Sequence, residues 1–199
     1  TKITFFITSL KDFILQYEEQ ELQDFLALFT CVKDPDIAYF LKTKALKNER
    51  TGKSRTFLVC DELDNKVQIV AYFTLAIQIL NIPETFSGKQ IKNLDGFGSK
   101  INGKLITEVP AILIGQIGKN DLHKDRITGS LLMQYCMSTV LDGQARLGGR
   151  VVLLECKNID YLVKAFYPSY GFKKLEKEYS ADELIQFIRT LNEDELISS

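Results

Sequence analysis

The fold of this chain is decided by VPAILIGQIG at residues 109–118, KNDLHKDRITGS at 119–130 and LLMQYCMSTVLDGQARL at 131–147. The first segment is apolar, the second is polar, and the apolar residues of the third recur at helical spacing. We therefore predict a buried strand over 110–119, a loop, and a helix over 130–147. Free backbone N–H groups of such a loop meet the positive end of the helix dipole, so the pattern predicts an anion site suited to a phosphate.

The residues that follow predict further strands and helices. VVLLEC is a continuous apolar run, as expected of a strand covered on both faces, and Gly148-Gly149 before it ends the long helix. Ser180-Ala-Asp-Glu183 matches a capping box, which marks a helix start. The expected elements are a strand over 151–156, a short helix over 159–167, a strand from Phe172, a C-terminal helix from the capping box through Leu191, and a frayed tail over 192–199.

The residues before the stretch predict a strand, helices and a hairpin. The expected elements are a strand over 1–7, helical segments within 10–29, a helix that begins at Asp34-Pro35 and ends at Thr51-Gly52, and hairpin strands over 55–60 and 67–80. Residues 81–107 contain four glycines and little periodicity, so we expect a long connection there. Connections of this length are usually functional or disordered, which leaves a substrate-side flap and plain disorder as alternatives.

Length and composition narrow the class of protein. A chain of 199 residues has the size of one domain, so we predict a single domain over 1–199. With 25 basic and 26 acidic residues, no overall field attracts nucleic acid or an anionic membrane. The four cysteines lack CxxC spacing, which indicates free thiols in a reducing compartment. No apolar run approaches the roughly 18 residues of a membrane helix, and we expect a cytoplasmic protein.

The order of these segments resembles that of the GNAT N-acetyltransferases. The resemblance rests on VPAILIGQIGKN, HKDRITGSLL, GGRVVLLEC and AFYPSYGF, preceded by GKSRTFLVC and VAYFTLAIQIL, and covers roughly residues 34–172. It implies an α/β fold with one mixed, mostly antiparallel sheet and helices on both faces. It also implies an acyltransferase that moves an acetyl group from acetyl-coenzyme A (acetyl-CoA) to a primary amine without a metal.

The resemblance places the coenzyme on the strand, loop and helix of residues 109–147. The strand end would pair with the pantetheine arm, and the loop and helix start would hold the pyrophosphate. The implied cofactor-binding residues are Ile117, Gly118, Lys119, Lys124, Arg126, Ile127, Thr128, Gly129 and Ser130. The family's loop reads Gln/Arg-x-x-Gly-x-Gly/Ala, whereas Arg126 and Thr128 hold the two glycine positions here. Because glycine lets the backbone approach a phosphate without a Cβ, we expect this loop to lie farther back or to use side chains, with Lys124 and Arg126 adding charge.

Acyl transfer to an amine requires that the amine lose a proton and that the departing thiolate gain or share one. By resemblance, Tyr167 is the candidate general acid, although the residues alone would favour packing beside Phe166. Glu155 is the only acid in VVLLEC, and is either a strand residue that reaches solvent or a base that acts on the amine. His123, the sole histidine, lacks the partners of a metal site or a catalytic triad and is expected near the phosphates.

A basic cluster precedes the hairpin. Its members are Lys42, Lys44, Lys47, Arg50, Lys53 and Arg55, with Glu49 as the only acid between them. GNAT toxins that acetylate aminoacyl-tRNA are similar at Ser-Arg-Thr-Phe (54–57), so the cluster could hold an RNA backbone. A charge run is more often a solvated helix face, and the net charge of −1 favours that interpretation. We predict an amine-bearing small molecule or protein as acceptor, with aminoacyl-tRNA, or a non-catalytic acyl-CoA sensor, as the alternatives.

Overall fold

A computed structural model describes residues 5–197 of the chain. The contacts within it define two compact units. Unit 1 takes in the residues up to Ala76 together with Gly115–Ser138, and unit 2 takes in Ile77–Ile114 and the residues from Thr139 onward. The assignment of the whole chain to one domain stays a prediction.

Strands and helices are numbered along the chain. The strands are β1 (Phe6–Ser9), β2 (Arg55–Leu63), β3 (Lys66–Asn81), β4 (Lys100–Ile101), β5 (Lys104–Leu105), β6 (Glu108–Lys119), β7 (Val151–Cys156), β8 (Lys173–Lys174) and β9 (Ile185–Thr190). The helices are α1 (Leu10–Gln16), α2 (Glu19–Ala27), α3 (Pro35–Thr43), α4 (Ala45–Thr51), α5 (Gly88–Asp95), α6 (Gly129–Leu147) and α7 (Glu193–Ile197). Of the helices between residues 5 and 197, none is long and apolar enough to cross a membrane.

The strands form a mixed sheet in the order β1-β2-β3-β6-β7-β9-β8, with β4 and β5 as a separate hairpin. Strands β6 and β7 pair in parallel, with Ile112 opposite Val152, whereas β1–β2, β2–β3, β7–β9 and β8–β9 are antiparallel. The predicted α/β fold with a mixed, mostly antiparallel sheet is confirmed. The predicted hairpin, the strand before the polar loop, the long helix and VVLLEC are confirmed as β2–β3, β6, α6 and β7.

The core of unit 1 consists of buried apolar residues of α1–α4 and of strands β2 and β3. Phe29 packs edge-on against Tyr72, with ring centroids 5.1 Å apart. The Tyr72 hydroxyl donates a hydrogen bond of 2.5 Å to the carbonyl of Ile37 in α3, and burial raises the pKa of this hydroxyl. Because the hydroxyl stays protonated and paired, it fixes α3 against the sheet.

The long connection predicted over residues 81–107 is regular secondary structure over about half its length. It contains the end of β3, helix α5 and the β4–β5 hairpin. Helix α5 begins with a capping box, in which the Gln90 N–H donates to Ser87 Oγ and the Ser87 N–H donates to Gln90 Oε1. Ile91 and Leu94 of this helix are buried in the core of unit 2. Helix α5 is short and buries only these two apolar residues. Its sequence is therefore too short to show a helical periodicity.

The predicted C-terminal helix through Leu191 is wrong, because this segment forms strand β9. Ser180 and Glu183 do form a turn, in which the Glu183 N–H donates to the Ser180 carbonyl at 3.1 Å. Beyond the turn, buried Ile185 and Phe187 alternate with half-buried residues, and β9 pairs with β7 along its whole length. The burial and pairing of this alternating segment outweigh the local capping signal.

Smaller differences concern element ends. The helix predicted from Asp34 is interrupted at Lys44, so that α3 and α4 are separate, and Gly52 ends α4 with a left-handed φ of 71°. The helix predicted over 159–167 contains a π-helical turn over Leu162–Phe166. Part of the tail expected to be frayed forms α7, whose start is capped by Asn192. Of the strand predicted over 1–7, residues 1–4 lie outside the described residues, and β1 begins at Phe6.

Candidate functional site

The end of β6, where the pantetheine arm is predicted to bind, is packed against α3. Ile117, Gly118 and Lys119 are all half-buried at this end of the strand. A Cβ atom built on Gly118 would lie 2.7 Å from Cγ2 and 3.2 Å from Cδ1 of Ile37. Glycine at this position therefore allows the Ile37 side chain to lie directly on the strand.

Two side chains that the sequence analysis did not single out hold the start of the loop. Asn120 is 2% exposed, accepts from the Thr30 N–H at 3.2 Å through Oδ1, and donates to the Ile69 carbonyl at 2.8 Å through Nδ2. Asp121 Oδ2 accepts from the Val32 N–H at 2.6 Å. The segment after α2 and strand β3 thus fix the point where the loop leaves β6. The Asn-Asp pair after an apolar strand is a turn signal that could have indicated these anchors.

Lys119 and Ile127 stabilise the loop from within. Lys119 Nζ donates to the carbonyls of Lys124, at 2.9 Å, and Ile127, at 3.2 Å, so its ammonium group serves the loop backbone. The Ile127 side chain is 2% exposed and anchors the loop in unit 1. Lys124 itself is exposed. Of these three predicted cofactor-binding residues, Lys124 is the one whose charge is presented to solvent.

Thr128, at one of the family's glycine positions, caps α6. Its Oγ1 accepts from the Leu131 N–H at 3.1 Å. Helix geometry leaves the first N–H groups of α6 without intrahelical acceptors, and within residues 5–197 those of Gly129 and Ser130 donate to no loop or side-chain acceptor. The binding of a pyrophosphate by these N–H groups and by the exposed Lys124 stays a prediction.

Arg126, at the other glycine position, is paired with Asp61 of β2. Arg126 Nε donates to Asp61 Oδ2 at 3.0 Å, and Arg126 Nη2 donates to the same oxygen. The Asp61 side chain is 7% exposed and that of Arg126 is 30% exposed. The sequence does not indicate Asp61 as a partner of Arg126, because 65 residues separate the two and no local pattern connects them.

His123 belongs to the turn that opens the loop. Its N–H donates to the Asn120 carbonyl at 3.0 Å, and its carbonyl accepts from the Arg126 N–H at 3.0 Å. Within residues 5–197, no group of three or more His, Cys, Asp or Glu side chains could hold a metal ion. The two backbone hydrogen bonds are what His123 contributes to the turn.

Tyr167, in unit 2, lies at the end of the π-helical turn and is 5% exposed. Its ring centroid lies 5.3 Å from that of Phe166, 5.7 Å from that of Phe187 and 6.4 Å from that of Phe172. Packing beside Phe166, which the sequence left as an alternative, is thus observed. These contacts involve the ring, so the proposed role of the hydroxyl stays a prediction.

Glu155, also in unit 2, is half-buried in β7. Its Oε1 accepts a 2.7 Å hydrogen bond from Nε2 of Gln186, its register partner in β9. The next pair in the register is Leu154 and Phe187, and side chains of consecutive strand residues point to opposite faces. Glu155 therefore projects from the face opposite to Phe187, against which Tyr167 packs. The structure does not bring the two predicted catalytic side chains together on one face of the sheet.

The basic cluster lies in unit 1, on α3, α4 and the start of β2. Arg50 pairs with Glu19 at 2.8 Å, and Arg55 pairs with buried Glu49 at 2.8 Å. The Lys44 ammonium group lies 5.4 Å from the centroid of the Tyr39 ring. A cavity of about 350 Å³ is bordered by part of this cluster. Its lining residues are Glu19, Gln23, Lys42, Thr43, Leu46, Lys47, Arg50 and Thr51.

The sheet order β1-β2-β3-β6-β7-β9-β8, with its strand, polar loop and long helix, is that of the GNAT fold, as predicted from the sequence. No protein-family model matches the sequence, and no curated protein matches it.

Solved structures match nearly the whole chain. AtaT complexed with acetyl-methionyl-tRNAfMet matches with a TM-score of 0.68 and 20% identity, over 98% of this chain and 100% of that chain. AtaTR bound with AcCoA has a TM-score of 0.68 and 18% identity, over 98% of both chains. A tyrosine-to-phenylalanine mutant of KacT has a TM-score of 0.66 and 18% identity, over 92% of this chain and 94% of that chain. At such identities the likeness shows the fold.

Proposed function

We propose that this protein is an acetyl-CoA-dependent N-acetyltransferase whose acceptor is a primary amine. The observation that carries the proposal is the likeness to AtaTR bound with AcCoA over 98% of both chains. The N–H groups at the start of α6 and the exposed Lys124 support it, because they fit the coenzyme's pyrophosphate. A cytoplasmic location is part of the same proposal.

The residues have separate roles in this reaction. Acetyl-CoA supplies an acetyl group activated as a thioester. As the amine nitrogen bonds to the acetyl carbon, the carbon–sulfur bond breaks and the sulfur takes a proton, for which the Tyr167 hydroxyl is the proposed donor. The proton that the amine loses passes to water, because Glu155, the other predicted catalytic residue, projects from the face of the sheet opposite to Phe187 and Tyr167.

Calorimetry and thiol release test this proposal. We expect heat of binding with acetyl-CoA, and release of free coenzyme A thiol when an acceptor amine is added. Binding without thioester cleavage across amine, peptide and aminoacyl-tRNA panels would instead support the acyl-CoA sensor. Absence of both heat and thermal shift at millimolar acetyl-CoA would contradict the enzyme and the sensor alike.

The second candidate acceptor is the amino group of an aminoacyl-tRNA. Two observations favour it: the likeness to AtaT complexed with acetyl-methionyl-tRNAfMet, and the cavity bordered by Lys42 and Lys47. Within residues 5–197, the ion pairs of the basic cluster are those of Arg50 and Arg55, so its lysines could contact RNA phosphates. The two arginines contribute less because their charges are already compensated.

The salt dependence of RNA binding separates this acceptor from a small amine or a protein. If the basic cluster holds tRNA, affinity should fall steeply with salt. Replacing Lys42 and Lys47 by Gln should then make the negative slope of log K, the binding constant, against log salt shallower by roughly one unit or more. Lys164→Gln, at an exposed ion pair of unit 2, is the matched control. Binding without any salt slope, and no acetylated aminoacyl-tRNA in the reaction, would exclude the second candidate.

A further inference from the structure

The buried carboxylate of Asp61 has both oxygens occupied. Oδ1 accepts from the Glu62 N–H at 2.9 Å, and Oδ2 accepts from Nε and Nη2 of Arg126. Moving Arg126 away would leave the Asp61 carboxylate, whose side chain is 7% exposed, without a charged partner. Arg126 is therefore held at Asp61 and cannot swing away to meet another anion.

When one edge of a guanidinium group is held by a partner, the direction of its other edge is fixed as well. The group is planar and carries five N–H donors in a rigid fork. Within the described residues, the bonds of this guanidinium are those that Nε and Nη2 make to Asp61, which leaves the Nη1 edge. The Arg126 side chain is 30% exposed, and Nη1 is not among the buried unpaired atoms of residues 5–197, so this edge can meet a ligand.

The backbone on either side of Arg126 is also fixed. The ammonium group of Lys119 donates hydrogen bonds to the carbonyls of Lys124 and Ile127. These residues lie two positions before and one position after Arg126. The Ile127 side chain is buried. The direction of the Arg126 side chain is thus set by the loop backbone at its base and by Asp61 at its tip.

From this geometry we propose that Asp61 is a positioning residue that presents the Nη1 edge of Arg126 to a phosphate of the coenzyme. The inference rests on the proposed function, since it takes coenzyme A as the ligand of this loop. It explains how a loop with Arg126 and Thr128 at the glycine positions binds phosphate: an oriented guanidinium replaces part of the backbone approach.

The test compares coenzyme A with pantetheine, which has no phosphate. In Asp61→Asn, the guanidinium loses its charged partner, and the dissociation constant for coenzyme A should rise by about tenfold while that for pantetheine is unchanged. Asp160→Asn, at an exposed ion pair with Lys164, is the matched control and should change neither constant. Calorimetry gives the dissociation constant for coenzyme A, and ligand-detected NMR gives that for pantetheine.

Arg126→Lys is the second variant, because it retains a cation for Asp61 and so preserves the fold. Lysine lacks the fork, and this variant should also weaken coenzyme A selectively. An unchanged affinity for coenzyme A in both variants, or an equal loss for the two ligands, would overturn the role of Asp61. Failure of the wild type to bind coenzyme A is a different result, since it overturns the proposed function and the inference with it.

Discussion

The ring of Tyr167 is held by three other aromatic rings, so its hydroxyl can be removed without removing those contacts. If this hydroxyl protonates the departing sulfur, Tyr167→Phe should lower kcat by about a hundredfold and leave the dissociation constant for acetyl-CoA unchanged. Tyr161→Phe is a matched control, because Tyr161 is 65% exposed in the same segment. Steady-state kinetics and calorimetry give the two quantities, and equal turnover in the wild type and Tyr167→Phe would exclude the proposed acid.

Buried cysteines predict how stability depends on pH. Burial raises the pKa of Cys60 from 9.0 to about 12 and that of Cys156 from 9.0 to about 11. A thiol whose pKa is higher in the folded state contributes stability that is fully present below pH 9 and is lost as the pH rises toward the folded value. We expect the melting temperature to fall from about pH 9 upward, and to fall less steeply in Cys60→Ala. An equal fall of the melting temperature with pH in the wild type and in Cys60→Ala would contradict this expectation.

At the scale of elements, the contact between α3 and β6 depends on one glycine. Gly118→Ala places a methyl group 2.7 Å from Cγ2 of Ile37, which the packed interior cannot accept without movement. We expect the free energy of unfolding to fall by about 1–3 kcal/mol, as measured by urea denaturation.

A second substitution separates this clash from a loss of backbone freedom. Ile37→Ala removes the clashing atoms, so Gly118→Ala should cost much less in the Ile37→Ala background than in the wild type. The same cost in both backgrounds would show that contact with α3 is not the reason for glycine at this position.

At the scale of the whole molecule, strands β3 and β6 each contribute residues to both compact units. Unfolding either unit would break these two strands part-way along their length. We therefore expect a single cooperative thermal transition, in which the calorimetric and van't Hoff enthalpies agree. Two resolved transitions, or unfolding of unit 2 while far-ultraviolet signal from unit 1 persists, would contradict the single-domain prediction.

The sequence by itself determined the elements with strong local patterns. The apolar run of β6, the polar loop and the helical spacing of α6 were readable because each pattern is longer than the structural period that produces it. The β2–β3 hairpin was readable for the same reason, and turn-forming residues separate its strands. The order of these segments was sufficient to indicate the GNAT fold.

Only the tertiary structure decided whether the segment after Ser180 is a helix or a strand. Its capping signal is local and weak, whereas pairing with β7 and burial of Phe187 require residues far away in the chain. The face from which Glu155 projects was likewise decided by the register of β7 and β9.

The phosphate loop shows most clearly which features the sequence determines and which the tertiary structure decides. Its position after a strand and before a helix followed from the sequence, but its support did not. Asp61 lies 65 residues before Arg126, and Thr30 lies 90 residues before Asn120. Such partners meet only when the sheet and the helices around it have formed, because hydrogen bonds and ion pairs act over a few ångströms of space whatever the distance along the chain.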